Sequence, residues 1–218
     1  MKNEAIELII FDLDGTLVDA YKAVASSLNY ALESVAVAAL TDEQIKRSVG
    51  WGDRNLVRRF VPVAKLEKTL SVYRKHHRKA LKKGTKFLPG AKKVLFELKK
   101  QGYRLAIASN RPSPFVRIIL KYLNVDCLFD YVLGGDQVKS PKPAPEMLKR
   151  ILKRFSLKPA QALYVGDMTI DVETAHRAGV KSVAVLTGSS RLDEIAPLKP
   201  FKTIRRLEAL FSVLKNND

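Results

Sequence analysis

The chain has 218 residues, 46% of them hydrophobic, and 39 Lys and Arg against 22 Asp and Glu give a formal net charge of +17. That apolar content supports a packed core and excludes a disordered chain, while a single cysteine, Cys127, excludes a disulfide framework. No apolar run reaches membrane-spanning length and no basic-then-apolar segment opens the chain, so a soluble, cytoplasmic monomer or homodimer without a membrane partner is expected.

Ile6, Leu8, Ile9, Ile10 and Phe11 form a short apolar run, rich in β-branched side chains, expected as a strand buried on both faces. Asp12 and Asp14 follow it, and Gly15 and Thr16 turn the chain. Residues 20–83 carry helical patterns and no strand candidate. Tyr21, Val24, Leu28, Leu32 and Val35 share one face of a helix over 21–37, and Thr41, Asp42 and Glu43 cap a second helix. Leu66, Leu70, Tyr73, His77 and Leu81 mark the stripe of a third, and a glycine-flanked loop at 48–55 carries Trp51 and Arg54. His77 reads as a hydrogen-bonded core histidine, His76 among Arg74, Lys75, Arg78 and Lys79 as a solvated one, and Cys127 as a small buried hydrophobe.

From Leu88 the pattern alternates. Pro89-Gly90 opens a helix that stops at Gly102, YRLAIAS is a strand ending at Ser109 and Asn110, and 112–123 is a helix. FDYVLGG is the next strand, KSPKPAPEM a proline-rich loop opening a helix over 146–155, and ALYVGD a strand ending at Asp167. A short helix over 170–178, the strand KSVAVLTG and a terminal amphipathic helix over 203–214 complete the chain. Such alternation argues for βαβ units, hence a doubly wound parallel sheet with helices on both faces.

Ligands of an open parallel sheet bind outside the carboxyl ends of its strands. There the sequence gathers Asp12, Asp14, Ser109, Asn110, Lys142, Asp167 and Asp171. Each alone could be a turn or cap residue; four carboxylates, a hydroxyl, an amide and an ammonium on one rim suit phosphoryl transfer. Carboxylate attack on a phosphomonoester dianion needs the charge cancelled, and Mg²⁺ does this with oxygen ligands that Asp12 and Asp167 can supply. Lys142 and the Ser109 hydroxyl can hold phosphoryl oxygens, Asp12 can attack phosphorus, and Asp14 can protonate the leaving alkoxide and then activate water.

Four motifs, DLDGT at 12–16, SN at 109–110, KPAP at 142–145 and GDMTID at 166–171, resemble those of the haloacid dehalogenase superfamily. The helical insertion after the first motif resembles the small α-helical cap of its phosphoglycolate phosphatase-like branch. The resemblance implies a Rossmann-like sheet of strand order 5-4-1-2-3 formed by 1–19 and 84–218, with 20–83 as the cap. It also implies Mg²⁺ held by Asp12, Asp167 and the Asp14 carbonyl with Asp171 in support, and phosphate held by Ser109 and Lys142 with Asn110 beside them. A dehalogenase expels halide without a proton, so Asp14 favours a small phosphorylated metabolite as substrate, phosphoglycolate first. Trp51 and Arg54 are the cap residues expected to contact the leaving group. A pyrophosphatase or a β-phosphoglucomutase-like mutase stays open. So does a nucleic-acid-binding module on the basic surface, although the charge is spread without interleaved aromatics and reads first as a solvated surface.

Overall fold

The computed structural model describes residues 5–215. Strand β1 (Leu8–Phe11) turns into the two-residue β2 (Val18–Asp19), and four helices follow: α1 (Tyr21–Glu33), α2 (Asp42–Lys46), α3 (Asp53–Arg58) and α4 (Val63–Gly84). The strand β3 (Lys86–Phe87) then pairs antiparallel with β2, so a short ribbon carries both connections to the four helices. Alternation resumes with α5 (Ala91–Lys100), β4 (Arg104–Ser109), α6 (Ser113–Tyr122), β5 (Tyr131–Gly134) and α7 (Glu146–Phe155). It continues through β6 (Ala162–Gly166), α8 (Thr169–Ala178), β7 (Lys181–Val185), α9 (Leu192–Ile195), β8 (Lys202–Ile204) and α10 (Leu210–Lys215).

Six of these strands form one parallel sheet in the order β5-β4-β1-β6-β7-β8. Read from its other edge, this is the expected 5-4-1-2-3 order with one more strand beyond the fifth. The extra strand corrects the reading of 203–214 as helix. Val183, Ala184 and Val185 pair with Lys202, Thr203 and Ile204, Leu186 donates to the Ile204 carbonyl (2.9 Å), and only Leu210–Lys215 is α-helical. Ile204, Leu207, Leu210 and Leu214 are all buried in one cluster, so the apolar spacing is real; the first of them reaches the core from a strand.

Successive strand residues point to opposite faces, which decides how the sheet is covered. Ile9, Phe11, Leu105, Ile107, Leu163 and Val165 join α5, α6 and α10 on one side, and Leu8, Ile10, Ala106, Ala108 and Tyr164 join α7 and α8 on the other. The helices α1 to α4 enclose a separate apolar cluster that includes Leu28, Leu32, Ile45, Val57, Leu70 and Tyr73. Helix α1 is shorter than 21–37: Ala36 takes φ +57° and Val37 donates back to the Leu32 carbonyl (3.0 Å). Thr41 and Gln44 form a reciprocal capping box at the start of α2.

His77 is buried, as its stripe implies, whereas His76 is half-buried, hydrogen-bonded to Ser27 and stacked on Tyr30 rather than solvated. Cys127 is exposed, not a buried hydrophobe, because it sits in a one-turn 3₁₀ segment whose neighbour Leu128 takes the inward position. Among the described residues no helix is long and apolar enough to cross a membrane; residues 1–4 and 216–218 of the expected core lie outside them.

Ile9→Ala, in the central strand and fully buried, is expected to lower unfolding free energy by about 2–5 kcal/mol. Val63→Ala, at an exposed helix start, should change it by less than about 0.5 kcal/mol. Urea midpoints compared with wild type check both.

Candidate active site

All six strands run in parallel, so their carboxyl ends share one rim. The main chain entering it is anchored by Asp12, whose N–H donates to the Val165 carbonyl (2.8 Å). Gly15 takes φ +83° in the turn, and a Cβ there would lie 2.5 Å from Asp167 Oδ2, so only glycine lets this turn pass so close to the second acidic strand end. The end of β4 supplies Ser109 and Asn110. Asn110 clamps the proline-rich loop, accepting from the Lys142 backbone N–H (2.8 Å) and donating to its carbonyl (3.0 Å). The Asn110 amide also donates to the Gly50 carbonyl (3.0 Å), tying the helical insertion to the rim.

The clamp delivers the Lys142 ammonium, almost fully buried, to the centre of the acids. Its Nζ donates to Asp12 Oδ1 (2.7 Å), Asp171 Oδ1 (2.7 Å) and the Tyr164 hydroxyl (3.0 Å). Burial alone would pull the ammonium pKa down, but Asp12 and Asp171 outweigh it and hold it well above its ordinary value. Asp167 accepts from Thr16 Oγ1 (3.0 Å) and the Ser189 N–H (3.0 Å), and Asp171 Oδ2 accepts from the N–H groups of Asp167 (3.1 Å) and Met168 (2.9 Å). Asp171 thus orients both Lys142 and the backbone that presents Asp167.

Asp12, Asp167 and Asp171 each offer a carboxylate oxygen, all within 4.8 Å of one another. Three carboxylates against one ammonium leave two formal negative charges in a buried pocket. Burial first, and the neighbouring acids second, push Asp167 well above the usual carboxylate range. Burial also pushes Asp12 up to about 6, Lys142 opposing and Asp171 assisting. A divalent cation removes that excess, and an all-oxygen donor set suits a hard ion such as Mg²⁺.

Asp14 lies across the rim and takes a partner that sequence reading does not single out. Arg111 donates from Nε and Nη2 to both Asp14 oxygens (2.7 and 2.8 Å) and from Nη1 to His77 Nε2 (2.6 Å). The last bond requires the neutral ring's proton on Nδ1, which faces Ser27 Oγ (3.1 Å) and the Ala23 carbonyl (3.3 Å). Burial, then the Arg111 charge, drives the His77 pKa down to about 2, consistent with a neutral acceptor. Arg111 directly follows the Ser109-Asn110 strand end, the one signal that could have marked it.

A cavity of about 70 Å³ lies between rim and helical insertion, far below the roughly 300–1,000 Å³ of drug-sized pockets. Asp12, Asp14, Ser109, Asn110 and Lys142 line it, whereas Asp167 and Asp171 sit beneath. Trp51 and Arg54 are not on its wall. Trp51 lies in an outer groove with Asn55, Arg58 and Arg59, and Arg54 pairs with Glu67 at the surface. Residues 53–55 of the expected loop are helical, at the start of α3, and Val49, Gly50 and Gly52 of the loop together with Asp53 line the cavity.

A doubly wound α/β sheet with a buried acid–lysine cluster at its carboxyl rim is the architecture of an enzyme. A family model for haloacid dehalogenase-like hydrolases matches residues 9–185, and the chain belongs to that family. It is 32% identical over 192 residues to the phosphoglycolate phosphatase of Aquifex aeolicus, covering 88% of this chain and 90% of that protein. With the phosphoglycolate phosphatase of Pseudomonas fluorescens it shares 33% identity over 212 residues, 93% of this chain and 78% of the relative. A crystal structure described as a predicted phosphoglycolate phosphatase from Haemophilus somnus superposes with a TM-score of 0.89 at 29% identity, covering 95% of this chain and 97% of the other.

The raised Asp12 pKa sets a pH dependence. Protonated Asp12 favours the folded state, so its contribution is fully present below pH 3.8 and is lost as pH rises through about 6. At roughly 1.4 kcal/mol per pH unit this is a loss of about 3 kcal/mol. In chelator, wild type is therefore expected to lose stability relative to Asp12→Asn between pH 4 and 7, and added Mg²⁺ to recover most of it, as followed by denaturant midpoints.

Proposed function

We propose that this protein is a Mg²⁺-dependent phosphatase that hydrolyses a small phosphomonoester, phosphoglycolate first, through an aspartyl-phosphate on Asp12. The observation that carries this reading is the buried meeting of Asp12, Lys142 and the Asp167–Asp171 pair from three separate parts of the chain. The small cavity and the names of the similar phosphatases support a compact substrate.

In this reading Asp12 and Asp167 carboxylates and the Asp14 carbonyl would hold the metal, with Asp171 supporting them. The bound ion supplies positive charge that offsets the phosphoryl dianion and the acids around it. Lys142 Nζ and Ser109 Oγ bind phosphoryl oxygens, Asn110 keeps the Lys142 loop in place, and Asp12 Oδ2, the oxygen Lys142 does not hold, attacks phosphorus. As the P–O bond to the alcohol breaks, Asp14 passes its proton to the leaving oxygen. Asp14 then takes a proton from water, whose oxygen attacks phosphorus, and the bond to Asp12 breaks to release phosphate and restore the carboxylate. Residues 20–83 serve as a cap that closes the cavity and excludes water, with Trp51 and Arg54 on its outer side.

The deciding experiment is a panel of phosphoglycolate, hexose phosphates, nucleotides and pyrophosphate, ranked by kcat/KM with and without Mg²⁺. Hydrolysis of phosphoglycolate that stops in excess chelator and returns with Mg²⁺ is expected; metal-independent turnover would overturn the cofactor assignment. Asp12→Asn should abolish turnover, because an amide is a poor nucleophile, while circular dichroism shows an intact fold; hydrolysis near wild-type rates would remove Asp12 from the mechanism.

A further inference from the structure

Two cationic side chains line the cavity, Lys142 and Arg111. Lys142 is committed to Asp12, Asp171 and Tyr164 and, in the proposed mechanism, to the phosphoryl group. Arg111 is different. Its side chain is 9% exposed, and its guanidinium spans Asp14 on one side and His77 on the other. His77 is a neutral acceptor there, so it takes an N–H without cancelling the charge. Asp14 is the carboxylate that balances the guanidinium, and Asp14 is also the group the mechanism needs as proton donor. A carboxylate that accepts from a guanidinium on both oxygens cannot donate a proton at the same time.

The remaining wall offers a second anion little else. Val24, Val49, Leu56, Phe115 and Ile170 are apolar, Tyr21 and Tyr73 bring only neutral phenols, and Asp53 is itself an acid held by Arg74 Nε (2.7 Å). An anionic group on the leaving alcohol therefore has one strong partner in the cavity, and the planar fork that now holds one carboxylate fits another in the same bidentate way.

We propose that Arg111 is the specificity-determining residue for a carboxylate on the alcohol side of the substrate, and that the incoming carboxylate takes the guanidinium from Asp14. This rests on the phosphatase reading and narrows its substrate class to short phosphorylated hydroxy acids. One ion pair replaces another, and the Asp14 carboxylate, no longer held on both oxygens, takes a proton from solvent and so becomes the donor the mechanism needs only when the matching substrate is bound. An ester without a carboxylate leaves Arg111 on Asp14.

The test compares kcat/KM for 2-phosphoglycolate and ethyl phosphate, which differ in the carboxylate, for wild type, Arg111→Lys and Arg111→Met with Mg²⁺ present. Wild type is expected to prefer phosphoglycolate by about 100-fold or more, since a site built for a polar group rejects the analogue lacking it. In Arg111→Met that ratio should fall to near one, with both absolute rates reduced, and Arg111→Lys should lie between. A folding defect scales both esters alike, so the ratio separates recognition from structure. An unchanged ratio in Arg111→Met overturns the assignment. If Arg111→Met does not fold, the wild-type ratio decides alone: a strong preference supports the assignment and parity overturns it. Parity with brisk hydrolysis sinks only the Arg111 assignment, whereas no hydrolysis of any phosphomonoester sinks the phosphatase reading beneath it.

Discussion

Burying the Lys142 ammonium among Asp12, Asp171 and the Tyr164 hydroxyl is the constraint on which the rest of the site depends. Removing one partner of such a group typically costs about 3–5 kcal/mol, because the other charge stays buried and unpaired. The surrounding structure is arranged to keep every partner in place. Asn110 fixes both backbone polar groups of Lys142, and Tyr164 reaches across from β6 with its hydroxyl near Asp171 Oδ1 (2.9 Å) and the Ala108 carbonyl (3.1 Å). Asp171 in turn holds the first N–H groups beyond β6. Loosening any one of these leaves a buried charge or dipole without its partner, so the cluster is rigid for the same reason that it is costly.

Much of this rim is legible in the sequence because strand ends can be read from short apolar runs, and a parallel sheet sends every strand end to one side. Asp12, Asp14, Ser109 and Asp167 follow from that rule, and Lys142 from the loop that proline richness marks. Arg111 does not follow. It is one of 39 basic residues, its pairing with Asp14 spans 97 positions, and only its place directly after Ser109-Asn110 distinguishes it from a solvated cation. Strand β8 escapes for another reason: three residues are too few for a period, and Ile204 fits the helical spacing of Leu207 and Leu210 equally well. Within the 48–55 loop, which side chains face inward depends on Gly50 and Gly52 at φ +100° and +84°, backbone choices that composition does not reveal.

The net charge of the chain and that of its cavity have opposite signs. At +17 the molecule attracts anions from a distance, and an anionic substrate gains in encounter rate from the spread basic surface. Inside the cavity the same anion meets Asp12, Asp14 and Asp53, which repel it unless paired. Entry is therefore favourable only where each acid has a cation or takes up a proton, and before a ligand enters Lys142, Arg111 and Arg74 are the cations that hold Asp12, Asp14 and Asp53. A long-range field brings the ligand, but the short-range pairings select it.

Two hydrogen bonds join the helical insertion to this balance: His77 with Arg111, and the Gly50 carbonyl with Asn110. Arg111 holds Asp14 and Asn110 holds Lys142, so each bond ends one residue away from a charged group of the rim. Helix α4 cannot swing away without taking His77 from Arg111, and the 48–55 loop cannot lift without releasing Asn110. The Asp19–Lys86 end of the β2–β3 ribbon remains as a connection when both are broken. The position of the insertion is for this reason linked, through Arg111 and Asn110, to the groups that hold Asp14 and Lys142.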